Sequence, residues 1–282
     1  MHPTDADRIP PFIERNPSKG RSAVITGNPA LSEKVVSEYL VAPREKVTTM
    51  TVGGTAIKTL VLLVFLIAGG SWGWASATKS IPADIGSGYG NTTVTIPGGF
   101  WLASFAAFFV AMFVIFNPRR AAVLGIVYAL LEGYCLGAIS AAVNAQTEGI
   151  VSAAILATVS VFVVALFLYV TRIVRPTQKM AFAVTAGLGG LIMLYLFVSI
   201  VAIFNWTWLY SDQFRTVGIV VSLIAIVLAA LSLTLDFGSI EAGVAAGAPK
   251  YMEWYCGFGL MVTLIWLYIT LLRLLALIAR NS

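Results

Sequence analysis

Apolar and polar positions in this chain fall into long blocks instead of alternating. Residues 1–50 are polar, and after them apolar runs recur near 54–77, 99–116, 121–143, 149–171, 180–204, 216–236 and 254–279. A hydrocarbon core about 30 Å thick needs ~20 helical residues to cross it, and each run is close to or above that length. The pattern predicts an all-α integral membrane protein with seven transmembrane helices, the second short and the seventh long. It divides the chain into a polar tail, 1–50, and a membrane domain, 51–282.

The polar blocks carry their own signals. In the tail, Pro3, Pro10, Pro11, Pro17, Pro29 and Pro43 are scattered among charges. No apolar core of a cleaved signal peptide occurs there, so the tail reads as loosely ordered, with a short helix at 31–40. The connection 78–98 is rich in Gly, Pro and Thr and predicts an irregular loop. Trp72 and Trp74, and Trp206, Trp208 and Tyr210, sit at the ends of apolar runs and read as interfacial anchors.

Composition narrows the function. The chain is 59% hydrophobic and 11% charged, with mean hydropathy +0.88, too little polar surface for a soluble globule. A net charge of +5 raises the question of nucleic acid, but 7 of the 18 Lys and Arg lie in the first fifty residues and most others between apolar runs. That distribution fits anchoring at a membrane surface, not a nucleic-acid patch. With the tail cytoplasmic, the inner connections hold Arg119, Arg120, Arg172, Arg175, Lys179 and Lys250, against Lys79 and Arg215 outside. The positive-inside rule therefore places the N-terminus in the cytoplasm of a cell membrane. Arg273 and Arg280 near the C-terminus run against that count, and six spans with a re-entrant last segment is the alternative.

Enzymatic chemistry finds little support. Cys135 and Cys256 are isolated in apolar stretches and read as packing residues. The sole histidine is His2, so zinc or Ser–His hydrolysis has no residues to use. Gly53-Gly-Thr-Ala-Ile-Lys58-Thr59 lacks the glycine before the lysine that a phosphate loop needs, and Lys58 reads as a snorkelling cation. No cofactor is expected.

The chemistry that remains is carboxylate chemistry in apolar surroundings. Glu132 interrupts AAVLGIVYALLEGYCLGAIS, and Asp236 closes VGIVVSLIAIVLAALSLTLD. An ionised carboxylate in a bilayer is expensive, so such a group faces a polar path or a partner within the bundle. Glu132 adjoins Gly133 and Gly137, four apart on one helix face, where a neighbouring backbone can approach closely. It reads either as an ion-path group or as a neutral acid bonded to a carbonyl. Asp236 is expected at the end of the sixth span, followed by a flexible Gly-rich connector holding Gly238, Glu241, Gly243 and Gly247, and then Glu253 at the head of the last helix. Glu241 and Glu253 read first as wet helix-end residues, Glu253 favouring its own helix dipole. Such sparse acids could hold a calcium ion or a proton only weakly and briefly, as conduction requires.

Several segments resemble the Bax inhibitor-1/YccA family. These are Leu235-Asp-Phe-Gly-Ser-Ile-Glu-Ala-Gly, Tyr251-Met-Glu-Trp-Tyr-Cys256, Leu271-Leu-Arg-Leu-Leu-Ala-Leu-Ile, Asn117-Pro-Arg-Arg120 and Glu132-Gly with Leu136-Gly-Ala-Ile139. Asn28-Pro-Ala-Leu31 and Met50-Thr-Val with Lys58-Thr59 resemble an actinobacterial branch. The resemblance implies seven helices with the last one central, and a pH-sensitive calcium leak. In such proteins an aspartate on the sixth helix shares a proton with one on the seventh, and a basic residue after the second helix responds. Asp236 matches the first aspartate, Thr263 stands where the second would be, and Arg119 or Arg120 falls at the basic position. The paired-aspartate latch is therefore incomplete, leaving Glu132 or Glu253 as the second carboxylate. Two functions follow as expectations: a proton-gated cation leak through Asp236 and Glu132, or a non-transporting scaffold that regulates another membrane protein.

Overall fold

In the computed structural model of the protein, the described residues are 13–15, 22–24, 49–80, 92–204 and 212–279. Two units separate, Met1–Thr48 and Thr49–Ser282. In the first, strands β1 (Ile13–Arg15) and β2 (Ser22–Val24) pair antiparallel, Ile13 opposite Val24. The helix expected at 31–40 and the aromatic group Trp206, Trp208 and Tyr210 lie outside the described residues.

The second unit is built from helices α1 (Val52–Ala77), α2 (Phe100–Phe116), α3 (Ala121–Asn144), α4 (Ile150–Val170), α5 (Gln178–Phe204), α6 (Asp212–Ala245) and α7 (Met252–Ala279). Six are long and apolar enough to cross a membrane, and α2 is a shorter apolar helix of 17 residues. In hydrocarbon every backbone N–H and C=O must find a partner inside the protein, and a helix provides it locally. Large apolar side chains such as Phe105, Phe109, Ile203 and Leu223 stay exposed, a surface only a lipid or protein environment would cover. Strands β3 (Thr78–Ser80) and β4 (Thr92–Val94) form a short hairpin base between α1 and α2, so the expected irregular loop begins and ends in paired backbone.

Packing centres on α7, which lies against α1, α3, α4 and α6, while α2 packs on α3 and α5 on α6. One core joins Leu62, Val114, Tyr128 and Met261 from α1, α2, α3 and α7, and a second joins Ala165, Leu233 and Leu267 from α4, α6 and α7. The tightest pair is α1 with α3. A methyl group on Gly69 or Gly73 would strike the carbonyls of Leu130 or Tyr134, and one on Gly133 or Gly137 those of Leu66 or Gly70. The glycine face read from the sequence is thus a backbone-to-backbone contact, where small residues replace the missing hydrophobic drive between membrane helices.

One expectation needs correction. The sixth helix does not end at Asp236. It continues to Ala245, so Gly238, Glu241 and Gly243 are helical and the connector shrinks to residues 246–251. These glycines are contact points and not hinges. A side chain at 238 would collide with the Pro176 ring, and one at 243 would meet the Met50 sulfur. Met50 itself is 1% exposed, its N–H bonded to the Ala248 carbonyl at 2.8 Å, and Thr49 bridges Pro249. The segment before α1 is therefore fastened to the α6–α7 connector.

Candidate functional site

Asp236 now sits more than two turns inside α6, facing α7. Its Oδ2 accepts a hydrogen bond from the Thr263 hydroxyl at 2.7 Å. The same hydroxyl lies 3.3 Å from the Gly259 carbonyl one turn back, and having one proton it can serve only one of the two at a time. Both side chains line a cavity of about 360 Å³ that includes Ile115, Ser239, Tyr255 and Cys256, from α2, α6 and α7. Sequence reasoning pointed to Asp236 and to the Thr263 position. Cys256 read only as a packing residue and Ser239 and Tyr255 were given no role, since only the crossing of α6 on α7 brings the three to the same wall.

Glu132 is half-buried on α3, within electrostatic reach of Tyr128 and Cys135, one turn on either side. Tyr128 in turn packs edge-on against Phe258 of α7, ring centroids 5.1 Å apart. No hydrogen bond joins Glu132 to Asp236 among the described residues. The structure brings Thr263, not a second carboxylate, to Asp236.

Glu253 has a defined structural position. It is 1% exposed, and its Oε1 accepts from the Thr51 N–H at 3.1 Å and from the Thr51 hydroxyl at 3.1 Å. Lys250 Nζ lies 3.7 Å from the same oxygen. Thr51 is the N-cap of α1, and its Oγ1 accepts from the Gly54 N–H at 2.9 Å. In a capping box the residue three beyond the cap reaches back with a carboxylate to the cap N–H. Here that residue is Gly54, which has no side chain, and Glu253 provides the carboxylate from 202 residues away. A Cβ on Gly54 would overlap Glu253 itself. Glu253 thus closes α1 as well as opening its own helix, and the sequence clue was a threonine cap lacking its usual acid.

Arg119, Arg120, Lys58 and Glu241 lie at the same end of the bundle as Glu253, whereas Arg273 lies 20 residues further along α7. Arg119 lies over the Tyr251 ring at 5.9 Å and Arg120 over Phe113 at 5.9 Å, both from the short 3-10 turn Pro118–Arg120. Lys58 lies 5.2 Å from the Trp254 ring centroid, so its ammonium is held by an aromatic face as well as by snorkelling. Glu241 is exposed and accepts the Tyr169 hydroxyl from α4. Arg273 lies 5.3 Å from the ring of Tyr195 on α5. It is a cation packed between helices and not a loop charge, which is why it fits no count of loop charges; Arg280 lies outside the described residues.

Comparison with curated proteins finds no match. A family model described as Bax inhibitor 1 like matches residues 16–280, all of the membrane unit but its last two residues and most of the chain before it. The match spans all seven helices, and the chain belongs to the Bax inhibitor 1-like family.

Proposed function

We propose that this protein crosses the cell membrane seven times, tail inward, and forms a proton-responsive cation leak whose sensing group is Asp236. The observation that carries the reading is the Asp236–Thr263 contact on the wall of a cavity between α2, α6 and α7. The placement of Arg119, Arg120, Arg172, Arg175, Lys179 and Lys250 in the α2–α3, α4–α5 and α6–α7 connections and the adjoining first turn of α5 supports the orientation.

The contact gives a single carboxylate two arrangements. Ionised Asp236 accepts a hydrogen bond from the Thr263 hydroxyl and offers its other oxygen to a cation in the cavity. Protonated Asp236 becomes a donor, Thr263 turns its hydroxyl to the Gly259 carbonyl, and the cavity loses its only aspartate charge. One carboxylate with hydroxyl neighbours holds calcium or a proton loosely, which suits passage better than storage. Arg119 and Glu253 then fix the ends of α3, α1 and α7 around the site.

The second reading, a non-transporting scaffold that regulates another membrane protein, rests on the identity of residue 263: a threonine and not a second acid meets Asp236, so no proton is shared between two carboxylates at this contact. Proteoliposomes loaded with a calcium-sensitive dye separate the two. Under the leak reading the wild type passes calcium with a rate that changes with pH, and Asp236→Asn alters the flux and flattens its pH response. Wild-type vesicles that pass no calcium at any pH favour the scaffold. Flux and pH response unchanged by Asp236→Asn would remove that residue from the mechanism.

A further inference from the structure

Where α4 ends, the α4–α5 turn and the last turns of α6 border an open pocket of about 560 Å³ that none of the chemistry above uses. Its wall carries two guanidinium groups, Arg172 and Arg175, with Tyr169 and Glu241. A second cavity of about 260 Å³, lined by Val164, Leu168, Ala230 and Thr234, runs between α4 and α6, and Val174 lines both. A charged chamber at a helix end thus abuts an apolar slot that follows α4 from Leu168 back to Ser160, about 12 Å at 1.5 Å per residue. We propose that the two together bind one anionic phospholipid, with its phosphate on Arg172 and Arg175 and an acyl chain in the slot. The proposal stands whether or not the chain conducts ions.

Arg172 holds a positive φ of 57°, the only non-glycine to do so among the described residues. It occupies the position just past the end of α4 where glycine is usual: its N–H reaches the Tyr169 carbonyl at 2.9 Å, and the Val174 N–H reaches Leu168 at 3.2 Å. A long side chain in a left-handed conformation is tolerated at a cost, and such outliers gather at ligand sites. Its neighbour is equally fixed, because Pro176 seats on the bare backbone of Gly238 and holds Arg175 beside the chamber.

Charge completes the argument. Among the described residues neither arginine forms a salt bridge, while Glu241 is engaged by the Tyr169 hydroxyl. Two cations and one carboxylate leave the chamber one positive charge in excess, which a phosphodiester neutralises. Arginine forks match phosphate oxygens in pairs. A glycerol headgroup, as in phosphatidylglycerol, also supplies hydroxyl donors for the free oxygen of Glu241. A soluble phosphate would use the chamber alone and leave the apolar slot empty.

The test uses the full chain in neutral detergent, stripped of lipid, titrated with phosphatidylglycerol or phosphatidylcholine and read by native mass spectrometry. Phosphatidylglycerol should bind in preference, and Arg172→Gly and Arg175→Gln should each weaken it about tenfold, as expected for a lost charge-assisted contact. Arg172→Gly suits the backbone at that position, so its thermal midpoint should hold or rise while lipid affinity falls. Val164→Trp should block the slot and weaken lipid binding, with glycerophosphoglycerol binding unchanged. An undiminished preference for phosphatidylglycerol in both arginine variants would overturn the proposal. So would full affinity in Val164→Trp with complete displacement of the lipid by inorganic phosphate, the result expected of a simple anion site.

Discussion

Alanine is a better helix former than glycine by about 1 kcal/mol, so Gly→Ala in a first helical turn ordinarily stabilises or does nothing. Gly53 and Gly54 are adjacent in the first turn of α1, yet the structure predicts opposite outcomes for them. A Cβ on Gly53 meets nothing within 4 Å, whereas one on Gly54 falls on the Glu253 carboxylate. Displacing that carboxylate breaks its bonds to the Thr51 N–H and hydroxyl and separates it from Lys250. Hydrogen bonds to a charged group contribute roughly 1.5–3 kcal/mol each, so losing the two costs about 3–6 kcal/mol, and after the propensity gain the net cost of Gly54→Ala should be about 2–5 kcal/mol. Gly53→Ala should be neutral or stabilising by up to ~1 kcal/mol. Unfolding of the purified protein in detergent, followed by helix circular dichroism or protease resistance, reads both variants. Glu253→Ala completes a double-mutant cycle: alone it is destabilising, and with it in place Gly54→Ala should lose its penalty. If Gly54→Ala proves as harmless as Gly53→Ala in the otherwise wild-type chain, Glu253 does not hold the head of α1 and the reasoning fails.

Gly137→Val should abolish folding into a stable, monodisperse species, because the new side chain must enter the space of the Gly70 backbone and backbone cannot yield as a side chain can; size-exclusion profiles of detergent extracts check it, and a wild-type profile would contradict the α1–α3 contact. Thr263→Asp should sharpen the pH response of calcium flux in proteoliposomes, since the Thr263 oxygen already lies 2.7 Å from Asp236 and two carboxylates that close cannot both ionise cheaply. A folded Thr263→Asp protein with wild-type pH dependence would count against proton gating at this contact.

Much of the architecture was legible because hydropathy reports one physical quantity directly, the length of chain that must avoid water. The apolar runs at 54–77, 99–116, 121–143, 149–171 and 254–279 reappear as helices with ends shifted by two residues or fewer. The Gly133–Gly137 face was equally legible, because four-residue spacing fixes a helix face whatever the fold. Asp236 was legible as a carboxylate in an apolar run and the Thr263 position followed from the resemblance to a family, and α6 against α7 places them in contact.

What tertiary structure decided is which polar groups meet. Local sequence rules end a helix where glycines cluster, because in water a glycine weakens it. Here α6 runs on to Ala245, since Pro176 and Met50 fill the space that side chains at 238 and 243 would need, and backbone in a bilayer gains by keeping its helical bonds. Glu253 looked like an ordinary first-turn acid, and only the docking of α7 beside α1 makes it the cap of a helix that begins 202 residues earlier. The Tyr169–Glu241 bond, the Arg273–Tyr195 stack and the arginine chamber have the same origin. Apolar periodicity is a property of one segment and its solvent, whereas a polar contact belongs to two segments, and their meeting is set by how the helices pack.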